Sequence, residues 1–282
     1  MKLFVSPHVR SLIDLAIDED DVAFDVTSNA FFAGLDVEAR LVAKQDVVLA
    51  GLAMIDAVYE RIDRTVRWDL EAQDGDRLPS GEVIARGYGD AASLLRGERT
   101  ALNFLQRMCG VATMTARYVG ALAGGSTRIT DTRKTLPGWR ELDKYAVACG
   151  GGANHRFSLS GGILIKDNHI AAAGGVAHAV ERIRETAPHT LAVEVEVETL
   201  AQVDAALDAG ADILMLDNMS TEMMVDAIQR IRKHSGDGVA IEASGNITLE
   251  RLAELSDIGL DFISSGALTH SVEAVDISLQ LA

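Results

Sequence analysis

The sequence predicts an α/β protein whose larger part is an array of parallel β-α units. Three observations predict it. From about residue 127, short apolar runs alternate with stretches of helical spacing. The runs are near-continuously apolar, as in strands buried on both faces. Nearly every run ends in a charged residue or a small group suited to phosphate. Parallel strands need crossover helices, so repeated β-α units imply a parallel sheet. A barrel gathers all its strand ends on one face, whereas an open doubly wound sheet uses only those beside its switch point. The strand ends favour a barrel, and with six clear strands an incomplete one. A doubly wound sheet remains the alternative.

The first hundred residues read as mixed α and β. Val37 to Gln45 alternates apolar and polar side chains, as a half-buried strand does. Val47 to Gly51 is a short apolar run ending in a turn residue, and Leu52 to Ile62 has helical spacing. Thr65 to Ala72 and Glu82 to Gly87 read as strands. Leu94 to Leu122 is one long helical stretch with break points at Gly97 and Gly110. The later strands are Arg128–Thr130, Ile163–Ile165, Leu191–Val197, Ile213–Leu216, Val239–Ile241 and Phe262–Ile263. Helices are predicted over Trp139–Cys149, Val176–Thr186, Thr199–Ala209, Thr221–His234 and Leu249–Leu255.

A chain of 282 residues fits one large domain or two modest ones, and 48% hydrophobic residues are enough to build a core. Aromatic residues are only 5%, which argues against a base-stacking surface. A net charge of −16 repels nucleic acid and anionic membranes. Cys109 and Cys149 lack CxxC spacing, so they point to neither a zinc site nor a disulfide framework, and a reducing cytoplasm fits them. Met1 to Arg10 has no apolar signal core, and no apolar run approaches the ~20 residues that span a bilayer.

Charge is unevenly placed. Arg99 to His169 holds ten Lys/Arg and four Asp/Glu, a net of +6, which leaves −22 for the remainder. Such an island is either chance clustering on a solvated face or a pocket for a small, highly charged anion. The strand-end motifs favour the pocket. Thr132-Arg133-Lys134 sets a rigid fork for a carboxylate beside a point charge for a phosphate. His155-Arg156 follow Gly150-Gly151-Gly152, where the backbone can approach a ligand closely. Lys166 follows a buried strand, a place where an ammonium needs an anion or an ion pair with Asp167. Glu196 and Asp217 end neighbouring units and suit Mg²⁺, ribose hydroxyls or a cationic transition state, or they simply balance the lysines. Ser244-Gly245-Asn246 and Ser265-Gly266 close the last two units, the usual place for a phosphate in a barrel.

These motifs resemble the quinolinate phosphoribosyltransferase family. The resemblance rests on Glu98 to Asn103, Asp131 to Thr135, Gly151 to Arg156, Ile165 to His169, Leu216-Asp217-Asn218 and Glu242 to Asn246, in order from about 98 to 270. Asp25 to Ser28 and Gln45 to Gly51 extend it more thinly, and Phe24 stands where it leads one to expect a glycine. It implies an N-terminal α/β sandwich domain (1–108, joined by the tail 268–282) and a C-terminal incomplete β/α barrel (109–267). It also implies a homodimer with shared active sites. The implied reaction joins quinolinate to phosphoribosyl pyrophosphate with Mg²⁺ and loss of CO₂.

By resemblance, Arg99 of the second subunit, Arg133, His155, Arg156 and Lys166 hold the two quinolinate carboxylates. Lys134 and Lys166 face the sugar phosphates, Glu196 and Asp217 serve the ribose and metal side, and the two Ser-Gly loops take the 5′-phosphate. Three other readings compete. A molybdenum-transport relative lacks the Lys-Asp-Asn-His stretch that Lys166 to His169 preserves here. A nicotinate-specific transferase has too few substrate carboxylates for these cations. A non-catalytic phosphosugar-binding protein would not need Lys134 or Glu196.

Overall fold

The computed structural model describes residues 3–31, 34–122 and 125–282. Met1 and Lys2, part of the N-terminal segment considered above, lie outside them. The chain forms two compact units. One comprises Met1–Ala116, Thr135–Gly151 and Leu268–Ala282, and the other comprises Arg117–Lys134 and Gly152–Ala267.

The first unit opens with helix α1 (Pro7–Glu19). Its start is encoded locally: the Ser6 hydroxyl accepts the Val9 N–H at 3.2 Å, and Pro7 occupies the first turn. Val9 and Ile13, one turn apart, bury its inner stripe. A 3₁₀ turn (Val22–Phe24) leads into α2 (Val26–Phe31). Then come β1 (Asp36–Ala43), β2 (Val47–Val48), α3 (Ala53–Ile62), β3 (Arg67–Leu70), β4 (Arg77–Leu78) and β5 (Val83–Asp90). Helix α4 (Ala91–Ala121) runs unbroken through both glycines predicted to interrupt it. Those glycines serve close packing. A Cβ on Gly97 would sit 2.5 Å from the Tyr59 ring, and one on Gly110 would collide with the Glu273 carbonyl. The chain enters the second unit for β6 (Arg128–Thr130) and returns for α5 (Arg140–Cys149).

The second unit continues with β7 (Ile163–Ile165), α6 (Asp167–Ala173), α7 (Val176–Thr186), β8 (Val193–Val197) and α8 (Leu200–Asp208). Strand β9 (Ile213–Asp217), α9 (Thr221–Ser235), β10 (Ala240–Ser244), α10 (Leu249–Leu255) and β11 (Phe262–Ser264) complete it. After α11 (Ala267–His270), β12 (Ile277–Leu281) closes the chain in the first unit. There it pairs antiparallel with β1, with Leu279 opposite Leu41, in a sheet ordered β12-β1-β5-β3. The short pair β2-β4 stands apart from that sheet.

The parallel sheet decides between barrel and doubly wound fold. Its order is β6-β11-β10-β9-β8-β7. Sequential strands are neighbours and the first strand pairs with the last, with Thr130 opposite Ser264. A doubly wound sheet reverses order at its middle; this one curls round on itself. Among the described residues no ladder joins β6 to β7. A single bridge from Thr130 to Ala153 stands in that gap. The Ala153 N–H donates to the Ile129 carbonyl at 2.8 Å, and the Asp131 N–H donates to the Ala153 carbonyl at 3.2 Å. The fold is therefore α/β with an incomplete barrel. Among the described residues no helix is long and apolar enough to cross a membrane.

Candidate active site

Strand β8 shows how the barrel interior is built. Its sequence Val-Glu-Val-Glu-Val alternates, so the three valines share one face and Glu194 and Glu196 share the other. Both faces are largely buried, as the sequence predicts, but the inner face carries acids rather than apolar side chains. Glu194 lies deep and is 5% exposed, while Glu196 sits one pleat nearer the C-terminal end.

At that end lies a cavity of about 430 Å³, formed within the second unit. Thr132, Arg133, Lys134, His155, Arg156, Lys166, Glu196, Asp217, Ser244, Gly245 and Asn246 line it. Every strand except β11 contributes one of these predicted residues at or just beyond its end, or through the loop that follows. Strand β11 contributes Ser264 rather than the expected Ser265 or Gly266. Ser265 turns away: its N–H donates to the Thr130 carbonyl at 3.0 Å, and the residue is 4% exposed. Arg99, exposed on α4, belongs to the first unit and lines a separate hollow there with Glu19, Asp20 and Trp139.

The cations crowd one another. The Arg156 guanidinium is held below its ordinary pKa by burial and by the nearby Arg133 charge. Its Nη1 donates to the Gly162 carbonyl at 2.8 Å, which fixes the fork. Arg133 Nε is buried without a hydrogen-bond partner among the described residues. Lys134 is exposed at the rim, and its N–H donates to the Thr132 hydroxyl at 2.9 Å in a local turn. Lys166 is also exposed at the rim, not buried as the sequence predicts. Strand β7 ends at the buried Ile165, and Lys166 already caps α6. Asp167 does not bridge to it; its carboxylate accepts the Asn168 N–H at 2.6 Å.

The acids face this cluster. Burial and then the neighbouring Asp217 raise the Glu196 carboxyl above its ordinary pKa, and Lys166 opposes them. The Asn218 amide donates to Asp217 at 2.7 Å. Two half-buried carboxylates kept together by their fold, with oxygen donors only, suit a hard divalent cation. Beside them Asn218, Gly245 and Asn246 all have positive φ, of 52°, 94° and 48°.

Two residues beneath the cavity stand in the sequence motifs but have no assigned role there. Glu242 is 4% exposed and projects inward from β10. Burial first, and then Glu194, push its carboxyl up to about 7. Asp131, with no exposed surface, accepts the His155 N–H at 2.9 Å. The only sequence signal for Glu194 was the alternation of β8.

Models of the quinolinate phosphoribosyl transferase N-terminal and C-terminal domains match residues 21–109 and 111–280. A Mycobacterium leprae nicotinate-nucleotide pyrophosphorylase (carboxylating) is 41% identical over 278 residues, covering 96% of each chain. The chloroplastic Arabidopsis thaliana enzyme of that name is 40% identical, covering 97% of this chain and 82% of its own. The crystal structure of NadC from Streptococcus pyogenes superposes with a TM-score of 0.94 at 42% identity, over 100% of this chain and 99% of the other.

Proposed function

This chain belongs to the quinolinate phosphoribosyl transferase family, and on that premise we propose that its barrel cavity transfers phosphoribosyl from phosphoribosyl pyrophosphate to quinolinate with decarboxylation. One observation carries the assignment of the site. Arg133 and Arg156 line one cavity, near enough for each charge to bear on the other, with an unsatisfied buried Arg133 Nε, and that cavity also holds two lysines and two carboxylates. Paired guanidiniums at that cost call for an anion with more than one charge.

In this reading Arg133, Arg156 and Lys166 hold the pyridine's two carboxylates. Lys134 and Lys166 face the phosphates of the sugar. Ser244, Gly245 and Asn246 present backbone N–H groups to the 5′-phosphate, with Ser264 beside them. The ring nitrogen attacks the anomeric carbon as its bond to pyrophosphate breaks. Glu196 and Asp217 offset the positive charge that then develops on the sugar. They would also hold Mg²⁺, whose chemistry there is to neutralise pyrophosphate charge. Loss of the 2-carboxylate as CO₂ leaves its electron pair on ring carbon 2, where the cationic ring nitrogen stabilises it until a proton is taken up. The products are nicotinate mononucleotide, pyrophosphate and CO₂.

Two further parts of this reading concern the setting. Arg99 lines none of this cavity, so we assign it to the cavity of a second subunit in a homodimer. A strongly acidic chain with two unpaired cysteines fits a cytoplasmic enzyme. The test of the activity is CO₂ release when quinolinate, phosphoribosyl pyrophosphate and Mg²⁺ are all supplied. No release with all three, or equal product formation from nicotinate, overturns it.

A further inference from the structure

Inside the barrel, where His155 of the cavity lining reaches two acids beneath it, three titratable side chains meet that the reaction above leaves without a joint role. His155 Nε2 lies 3.2 Å from Glu194 Oε2 and 3.8 Å from Glu242 Oε1. Two nearly buried carboxyls side by side are costly to keep. Glu242 Oε1 has no hydrogen-bond partner among the described residues. A fold that retains this pair needs them for something other than stability.

The other face of the imidazole shows what that is. Nδ1 of His155 accepts the Arg156 backbone N–H at 2.7 Å. A ring nitrogen that accepts an N–H carries no proton, so the ring proton sits on Nε2 and points at Glu194. The His155 backbone N–H meanwhile donates to Asp131 at 2.9 Å. The residue is thus fixed at three atoms, and the chain that leaves it carries Arg156 into the cavity. The same three side chains bring donor atoms within 4.8 Å of one another, a spacing a metal ion could use. With Nε2–H directed at a carboxylate, however, that nitrogen offers no lone pair to a cation.

We propose that Glu194, backed by Glu242, is a positioning residue that acts through His155, fixing the tautomer and orientation of the ring and so the backbone that presents Arg156 to the anionic pyridine. This rests on the reading of the cavity given above. It moves His155 from gripping a substrate carboxylate to aiming the arginine that does. Buried support of this kind holds a binding group within the narrow geometry its ligand requires.

The test is nitrogen-15 NMR of the protein labelled in its histidine rings. The chain has seven histidines, and the His155 signals are those lost in His155→Asn. In the unsubstituted protein His155 is expected to show a protonated Nε2 and an unprotonated Nδ1. A protonated Nδ1 overturns the proposal, whatever the variants do. In Glu194→Gln the amide can turn its NH₂ toward the ring, so the signals are expected to move toward the other tautomer. KM for quinolinate should rise about tenfold or more, the worth of one hydrogen bond to a charged group. KM for phosphoribosyl pyrophosphate and the melting temperature should change little. An unchanged His155 spectrum with an unchanged KM for quinolinate overturns it. If Glu194→Gln does not fold, the spectrum of the unsubstituted protein still decides. That spectrum requires no substrate. The expected tautomer in a protein inert toward quinolinate would therefore refute the reading of the cavity and leave the His155 lock standing.

Discussion

The Asn218 side chain occupies the space that a Cβ on Gly245 would need. Its Oδ1 lies in direct collision with that position, and its backbone N lies 2.9 Å from it. The Asn218 N–H donates to the Ser244 carbonyl at 3.0 Å, so the ends of β9 and β10 are laced together at the cavity rim. Gly245 also has a φ of 94°, which a side chain rarely adopts. Gly245→Ala should therefore cost on the order of 1–3 kcal/mol, lowering the melting temperature by roughly 2–10 °C. KM for phosphoribosyl pyrophosphate should rise at the same time. Differential scanning calorimetry and initial rates check both, and unchanged melting would contradict the packing described.

Lys134 and Glu196 flank the cavity from opposite charges. Lys134→Ala and Glu196→Ala should each lower turnover by on the order of 10²–10³ while the protein stays folded. Lys134 is exposed and Glu196 only half-buried, so neither truncation opens the core. Folded variants with near-normal turnover would remove these residues from the chemistry. Unfolded variants would make them structural.

Much of this site was legible in the sequence because chemistry at barrel strand ends leaves local marks. Thr132 to Lys134, Lys166 and Asp217 each lie at or just past a short apolar run, and the structure brings them to one cavity. What escaped lies where local pattern and tertiary demand differ. Gly97 and Gly110 look like helix breakers but are contact points inside an unbroken α4. Ser265 resembles a phosphate ligand, yet the pleat turns Ser264 inward instead. Helix α1 carries a clear start in Ser6-Pro7, but its buried stripe is only Val9 and Ile13, too thin a period to stand out. Glu194 and Glu242 look like solvated acids until the sheet closes around them.

Glu242 should make stability depend on pH in a definite direction. Its folded pKa is raised from 4.5 to about 7, so the folded state keeps a proton that the unfolded chain releases. That stabilising contribution is fully present below about 4.5 and is lost as pH rises through about 7. Glu242→Gln cannot titrate there. The melting temperature of the unsubstituted protein should therefore fall relative to Glu242→Gln between about pH 4.5 and about pH 7. A constant difference across that window would show that Glu242 is already ionised at its low end.

Mixed dimers test the assignment of Arg99. Arg99→Ala and Lys166→Ala should each be nearly inactive alone. In a mixed dimer one site carries both defects and the other neither, so activity should return to about half that of the unsubstituted dimer. Mass spectrometry reports whether subunits exchange. Exchange without recovery would mean that Arg99 acts within its own chain or not at all.

Substrates lacking the 2-carboxylate should be poor. Nicotinate would leave one of the crowded cations at Arg133, Arg156 and Lys166 unpaired, a cost of about 2–5 kcal/mol. The most direct measurement uses quinolinate carrying carbon-13 in the 2-carboxylate alone, with phosphoribosyl pyrophosphate and Mg²⁺ present. The account predicts that all of the label leaves as CO₂, in equal amounts with pyrophosphate and nicotinate mononucleotide. Label retained in the nucleotide product, or pyrophosphate formed without CO₂, would contradict it.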